Sequence, residues 1–234
     1  MNKNKKPAAH ANLLGQLFPY FYYFVVSTVL FFVSILIPAA WLLFTTTNFL
    51  DVIFLGLLFP SLAALVSCSI KFKESTDKGA MNPFKLFIEG YRKNVKDTAK
   101  YCFIYGALLF VVIFNLNQTE ADVSQFMMMT TMILAGISTL IVTFMMLIAA
   151  KFQFRLKDLF KVSIYAILMN MLVTVKIVLT FLVLFFLTPR IGLLAVMLYI
   201  SPIVYLVTHF ATPMLADIHK NFVDDDKAEA AEET

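Results

Sequence analysis

Charged residues are scarce in this chain, and their scarcity excludes most classes of soluble protein. Of its 234 residues, 15% are charged and 60% are hydrophobic, and the mean hydropathy is +0.82. Soluble domains have about 25% charged and about 45–50% apolar residues. The composition therefore excludes a soluble enzyme, a nucleic-acid-binding module and a disordered regulator. We expect membrane lipids around the chain and no nucleic acid as a partner.

Motifs for the common catalytic chemistries are also missing. The sequence has no G-x-x-x-x-G-K-[ST] phosphate loop, no H-E-x-x-H zinc motif and no G-x-S-x-G nucleophile motif. Its three histidines show no spacing typical of metal ligands. The apolar segments hold no cluster of acids or histidines that would relay protons. We expect no enzymatic activity, no metal and no cofactor.

Long apolar runs, by contrast, are abundant, and they predict an all-α membrane protein. The hydrophobic residues are sufficient for about six or seven crossings of about 20 residues each. Because lipid cannot pair with backbone polar groups and the runs do not alternate, the spans are predicted to be helices. The predicted organisation is a basic arm, 1–17, a six-transmembrane-helix bundle, 18–211, and an acidic tail, 212–234. The six predicted spans are 18–44, 49–70, 101–116, 125–150, 162–187 and 191–211.

Lysine and arginine concentrate on one side of the predicted bundle. The arm, the loops 71–100 and 151–161 and the tail hold all of these residues except Lys176 and Arg190. Basic segments of membrane proteins stay on the cytoplasmic side. Both termini are therefore predicted to be cytoplasmic.

Lys176 is the most unusual residue of the predicted spans. It lies fifteen positions into the fifth span, near the bilayer midplane. A central lysine costs about 2.5–3.5 kcal/mol on insertion scales, so it should face the bundle interior or water. One interpretation is an anion-binding or coupling residue. The others are snorkelling toward the outer headgroups, or a buried pair with Asp51 near the outer end of the second span.

Two prolines, Pro60 and Pro202, fall in the middle of predicted spans. Each removes one helix hydrogen bond and crowds the carbonyl four residues earlier, at Gly56 and Leu198. Freed carbonyls bind ions in transporters, whereas proline kinks also occur in ordinary membrane helices. Both interpretations stay open.

The loop 71–100 has the pattern of an amphipathic helix from Pro83 onward. Its apolar residues recur at i, i+3, i+4 and i+7: Phe84, Phe87, Ile88 and Tyr91. The basic residues, which include Arg92 and Lys93, lie largely on other faces. Such a helix can lie in the interface against anionic lipid, or it can dock against a partner. The loop 151–161 repeats the pattern briefly around Arg155.

Several short motifs resemble the YesL family of bacterial membrane proteins. They are Trp41-Leu42-Leu43-Phe44-Thr45, Gly56 to Leu65 around Pro60, Asn82-Pro83-Phe84 with Phe87 and Tyr91-Arg92-Lys93-Asn94, and Leu159-Phe160-Lys161 running on to Asn170. Their order and spacing cover roughly residues 18–215. The family is a domain of unknown function, often encoded beside carbohydrate importers of the ATP-binding cassette (ABC) type. The resemblance implies a multi-pass protein of the bacterial plasma membrane, with no catalytic residues to carry over and no counterpart of Lys176.

Our leading hypothesis is an accessory membrane protein of a carbohydrate-uptake system, which acts by binding partners such as ABC importer subunits. The alternative is a small-solute transporter or channel in its own right, using Lys176. A purely structural or lipid-organising bundle is a third interpretation. The sequence leaves open the solute, the partner and whether the chain forms a homo-oligomer.

Overall fold

The computed structural model describes the backbone of residues 9–44, 50–76, 78–79, 81–117, 125–192 and 198–223. Every regular element in these ranges is helical, and no strand occurs in them. The elements are α1 (Ala9–Phe44), α2 (Leu50–Glu74), α3 (Pro83–Asn117), α4 (Gln125–Lys151), α5 (Leu156–Met169), α6 (Met171–Ile191), α7 (Ile200–Ile218) and a π-helical turn (His219–Val223). The predicted all-α class is confirmed.

Among the residues whose side chains the structure describes, three helices contain stretches that are long and apolar enough to cross a membrane. They are Leu17–Leu36 in α1, Met129–Lys151 in α4 and Met171–Arg190 in α6. Only 11% of the stretch in α6 is buried inside the protein, so most of its apolar side chains face outward. An apolar surface of this extent is typical of a chain that lies in lipid. The count of six spans and the orientation of the termini stay predictions.

α2 and α3 are joined by a short connection and pack closely. Small buried residues of α2, among them Ala64 and Ser67, face Gly90 of α3. Small residues allow two helix backbones to approach, and close packing is the main source of helix association in lipid. Asn82 begins α3, because its side-chain Oδ1 accepts a hydrogen bond from the Phe84 N–H at 3.0 Å. Most of the predicted loop 71–100 is therefore helical, and α3 continues through the predicted third span.

The predicted fifth span consists of two helices. α5 ends at Met169, Asn170 has φ −108° and ψ 53°, and α6 begins at Met171. The hydroxyl of Thr174 donates to the carbonyl oxygens of Ile167 at 3.0 Å and Asn170 at 3.2 Å. The Thr174 side chain thus bonds to the last turn of α5 and to the junction residue, whose carbonyl oxygen also accepts from the Thr174 N–H at 3.0 Å. The apolar stretch of membrane length consequently starts at Met171 and not at residue 162.

The core lies where α2, α4, α6 and α7 meet. Its fully buried side chains include Leu65, Phe144, Leu147, Ile177 and Met214. The buried pair Met145 and Met146 belongs to the same cluster, as expected of methionines that fill apolar space.

Polar contacts bring several helix ends together on one side of the bundle. They are Lys151–Glu74 (2.6 Å between Nζ and Oε1), Lys73–Thr212 and Lys78–Tyr20. The ends of α2, α4 and α7 thus lie beside the early part of α1. This side, marked by Tyr20, Lys73, Glu74, Lys151 and Thr212, is called the basic end below.

Candidate functional site

An aromatic cluster, formed by Tyr20, Tyr23, Phe24, Phe72 and Tyr205, joins α1, α2 and α7 at the basic end. Tyr23 is fully buried and stacks on Phe72, with ring centroids 4.1 Å apart and ring planes 12° apart. Tyr20 and Tyr205 meet Phe72 edge to face. Such pairs contribute about 0.5–1.5 kcal/mol each beyond their burial. The cluster therefore fixes three helices relative to one another.

Lys78 covers the aromatic cluster from the connection between α2 and α3. Its ammonium lies 4.4 Å from the centroid of the Tyr20 ring and 5.8 Å from that of Phe72. It also donates a hydrogen bond to the Tyr20 hydroxyl. A lysine of the chain already provides the cation over these rings. The cluster therefore holds helices together and is not an open site for a cationic ligand. Sequence reasoning missed this cluster, whose residues come from three segments that are far apart along the chain.

Buried hydroxyl groups continue from the aromatic cluster toward the middle of the bundle. The Tyr23 hydroxyl and the Ser69 Oγ are 2.6 Å apart, and the Ser27 and Ser201 Oγ atoms are 2.9 Å apart. Ser69 also donates to the carbonyl oxygen of Leu65 at 2.9 Å. Hydrogen bonds of this kind join helices in lipid.

The predicted amphipathic face of α3 is mostly internal. Phe87 is only 4% exposed and belongs to the core, and Tyr91 packs against the same core. Phe84, in contrast, is 52% exposed. The prediction of a lipid or partner contact is therefore wrong for Phe87, because Gly90 allows this side of α3 to lie against α2.

Three of the residues predicted to contact lipid or a partner are exposed cations of the basic end. Arg92 and Lys93 on α3 and Arg155 just before α5 are exposed. No ion pair joins any of the three to a side chain in the part of the chain that the structure describes. Each of them presents a positive charge that can meet an acidic partner or anionic headgroups.

Other charged groups at this end are already engaged. Lys71 Nζ lies 3.0 Å from Glu89 Oε2, and its hydrogen bond and charge hold the pKa of Glu89 below its usual range. Burial lowers the pKa of Lys73, which donates to the carbonyl oxygen of His209 at 3.4 Å. These residues tie α2 to α3 and to α7.

Lys176 lies near one end of α6 and not near its middle. The apolar stretch begins five residues earlier, at Met171, which is about 8 Å along the helix axis. Its ammonium is 5.7 Å from the centroid of the Phe210 ring. Phe210 follows His209, the carbonyl partner of Lys73. Lys176 is thus close to the basic end and not near the predicted midplane, because the apolar helix begins only after the break at Asn170.

The suggested pair of Lys176 with Asp51 is wrong. Asp51 lies in the first turn of α2, and Lys73 lies in its last turn. The 22 residues between them correspond to about 33 Å of helix. Since Lys176 is near the level of Lys73, the two residues lie at opposite ends of the bundle. The side chain of Asp51 is outside the described residues.

The two prolines have different positions in their helices. Pro60 is buried within α2, as predicted for a mid-span proline. Pro202, however, lies in the first turn of α7, which begins at Ile200. A proline there loses no helical hydrogen bond, so Pro202 starts a helix and does not kink one. The proline that lies inside α7 is Pro213, near the basic end.

A groove of about 410 Å³ runs between α6 and α7 beside Lys176. Its lining consists of Lys176, Leu179, Thr180, Val183, Leu184, Ile203, Leu206 and Phe210. All of these except Lys176 and Thr180 are apolar, and the Thr180 hydroxyl is engaged by the carbonyl oxygen of Lys176 at 2.8 Å. The Lys176 ammonium is therefore the principal polar group of the groove, which is called the Lys176 groove below.

An interior cavity of about 320 Å³ adjoins this groove, since Leu184 and Ile203 line both. Its walls come from α2, α3, α4, α6 and α7. Its polar groups are already hydrogen-bonded: the Tyr105 hydroxyl and Thr139 Oγ1 are 2.6 Å apart, and the Thr143 hydroxyl donates to the Thr139 carbonyl oxygen at 2.7 Å. The linings of both spaces are mostly apolar. Among the described residues, no three His, Cys, Asp or Glu side chains are grouped to hold a metal ion.

Comparisons with known proteins give no relative for this arrangement. No family model matches the chain, and no curated protein and no solved structure is similar to it at a significant level. The resemblance to the YesL family is not supported by these comparisons and stays a prediction.

Proposed function

We propose that the chain is a six-span protein of a bacterial plasma membrane, with both termini in the cytoplasm, that acts by binding partners rather than by catalysis. The three long apolar helices support its location in a membrane. The lysines that collect at one end support a cytoplasmic orientation of that end, by the positive-inside rule.

The exposed cations of the basic end carry this proposal. Arg92, Lys93 and Arg155 have no acidic partner among the described side chains, whereas the neighbouring Lys71 and Lys151 are paired with Glu89 and Glu74. Exposed arginines are well suited to bidentate contacts with carboxylates of a partner. The basic end therefore has the charge of a docking surface for an acidic protein.

A subunit of an ABC-type carbohydrate importer is the partner that we propose. Only the resemblance of the sequence to the YesL family supports this choice, so its test has to be direct. The tagged protein is purified in mild detergent from cells that express the importer, and the recovered proteins are identified by mass spectrometry. We expect importer subunits in the wild-type sample and a loss of at least half of them with the double variant R92Q/K93Q.

The control is K161Q/K220Q, which removes the same charge from two exposed lysines outside the proposed surface. It should recover as much importer as the wild type. Purification of the chain alone under these conditions would contradict the accessory function. Equal losses in both double variants would assign the binding to net charge and not to this surface.

Transport of a small anionic solute is the second candidate, favoured by the contact between the Lys176 groove and the interior cavity. Flux into proteoliposomes should then fall with K176A. Flux that is unchanged in this variant would contradict a transport mechanism through Lys176.

A further inference from the structure

The Lys176 groove combines a single cation with apolar walls. Its ammonium contacts the Phe210 ring at 5.7 Å, and within the described residues no carboxylate forms an ion pair with it. Lys176 is exposed at the surface of the protein, and so are Leu179, Val183 and Leu206 beside it. A lysine that faces lipid in this way is stabilised when it reaches the headgroup region and meets a negative charge there.

The groove begins in one half of a bilayer and ends a little beyond its middle. Lys176 is about 8 Å from the start of the apolar stretch of α6. From Lys176 to Leu184 the wall rises through eight residues, or about 12 Å. One leaflet contributes about 15 Å, half of a hydrocarbon core of about 30 Å. The cation is thus within reach of the headgroups while the apolar wall follows the acyl region.

We propose that the Lys176 groove binds one anionic phospholipid. The phosphate lies at the Lys176 ammonium, and one acyl chain follows the wall of α6 and α7 toward Leu184 and Ile203, where the interior cavity begins. The charge selects an anionic over a zwitterionic headgroup, and the apolar wall selects a lipid over a free phosphate. This proposal does not depend on the importer association.

Lipid adducts of the purified full-length chain, counted by native mass spectrometry, test the proposal. The probes are dioleoyl phosphatidylglycerol, dioleoyl phosphatidylcholine with the same acyl chains, and glycerol phosphate, which has none. We expect phosphatidylglycerol to bind better than the other two. K176Q should weaken its binding about fivefold, the effect of one lysine beside an anionic surface, and K176R should restore most of it.

Two further variants separate the groove from general surface charge. K161Q removes an exposed lysine of α5 outside the groove and should bind phosphatidylglycerol as the wild type does. L206W keeps Lys176 and fills the groove, so it should lose binding although no charge has changed. Each variant is compared with the wild type by thermal unfolding without added lipid. If L206W does not fold, V183W, at an exposed wall position of α6, replaces it.

Three comparisons, of K176Q with the wild type and of the probes with one another, could overturn the proposal. The results that would do so are equal phosphatidylglycerol binding by K176Q and the wild type, equal binding of the two phospholipids, and glycerol phosphate binding as tightly as phosphatidylglycerol. A full loss with K161Q would likewise place the lipid elsewhere. Loss of importer co-purification has no bearing on these results, so the two proposals fail separately.

Discussion

Gly90 of α3 lies so close to Ala64 of α2 that a Cβ added to the glycine would be 3.1 Å from the Ala64 carbonyl oxygen. The same Cβ would be 3.2 Å from the Cβ of Ser67. Backbone atoms cannot move aside as the end of a flexible side chain can. The distance between α2 and α3 is therefore set by the missing side chain at this position.

A large residue at position 90 should separate the two helices. We expect G90L to lower the free energy of unfolding by about 1–3 kcal/mol, the usual cost of overpacking. G90A should be nearly neutral, because the helical preference of alanine, about 0.5–1 kcal/mol over glycine, offsets the tight contact. Thermal unfolding in detergent, followed by circular dichroism, measures the difference. G136L is the control, since nothing lies within 4 Å of a Cβ at Gly136 of α4. An equal loss of stability in both leucine variants would mean that the measurement reports helix preference and not packing.

The hydroxyl of Tyr23 should stabilise the contact of α1 with α2. Y23F removes its 2.6 Å hydrogen bond to Ser69 and keeps the stacking on Phe72. We expect a loss of about 0.5–1.5 kcal/mol, seen as a lower Tm of the purified protein. Y22F, at the neighbouring tyrosine that is 45% exposed, should leave Tm unchanged. A Y23F protein with the wild-type Tm would show that this buried bond makes no net contribution.

The Lys71–Glu89 pair should make stability depend on pH. The pKa of Glu89 is lowered in the folded protein by the hydrogen bond and charge of Lys71. The contribution of the ion pair to the free energy of unfolding is therefore fully present above the ordinary carboxyl pKa. It is lost as pH falls through the lowered pKa of Glu89. We expect E89Q to be less stable than the wild type at neutral pH and equal to it at strongly acidic pH. Because both side chains are exposed, high salt should also reduce the difference; a difference that is the same at every pH would exclude this electrostatic origin.

Cysteine labelling should report which end of the bundle faces the cytoplasm. In a background where Cys68 and Cys102 are replaced by alanine, R190C and K220C each carry one thiol at opposite ends of the proposed bundle. We expect a membrane-impermeant maleimide to label R190C in intact cells and K220C only after permeabilisation. Labelling of both in intact cells would rule out a cytoplasmic basic end. Labelling of K220C alone would reverse the proposed orientation.

Sequence reasoning predicted which segments are helical and apolar better than it predicted which residues contact one another. The composition of the apolar run around Met171 to Arg190 predicts a membrane helix, and in the structure the run is one continuous helix that is long enough to cross a membrane. The break at Asn170 was not predicted, because the surrounding residues are as apolar as those of a continuous span. That break moved Lys176 from the expected midplane toward the basic end and removed the proposed pair with Asp51. The amphipathic pattern of α3 was read correctly as helical, but Phe87 faces α2 and not lipid.

Long apolar runs without alternation predict by themselves that the chain is helical and suited to lipid, because a helix pairs the backbone polar groups within one segment. Which apolar faces turn inward was decided only by the tertiary structure. Lipid and protein interiors are equally apolar, so hydrophobicity does not distinguish them, and close contacts such as Gly90 with Ala64 and Tyr23 with Phe72 make the choice. The Lys176 groove likewise exists only once α6 and α7 lie side by side.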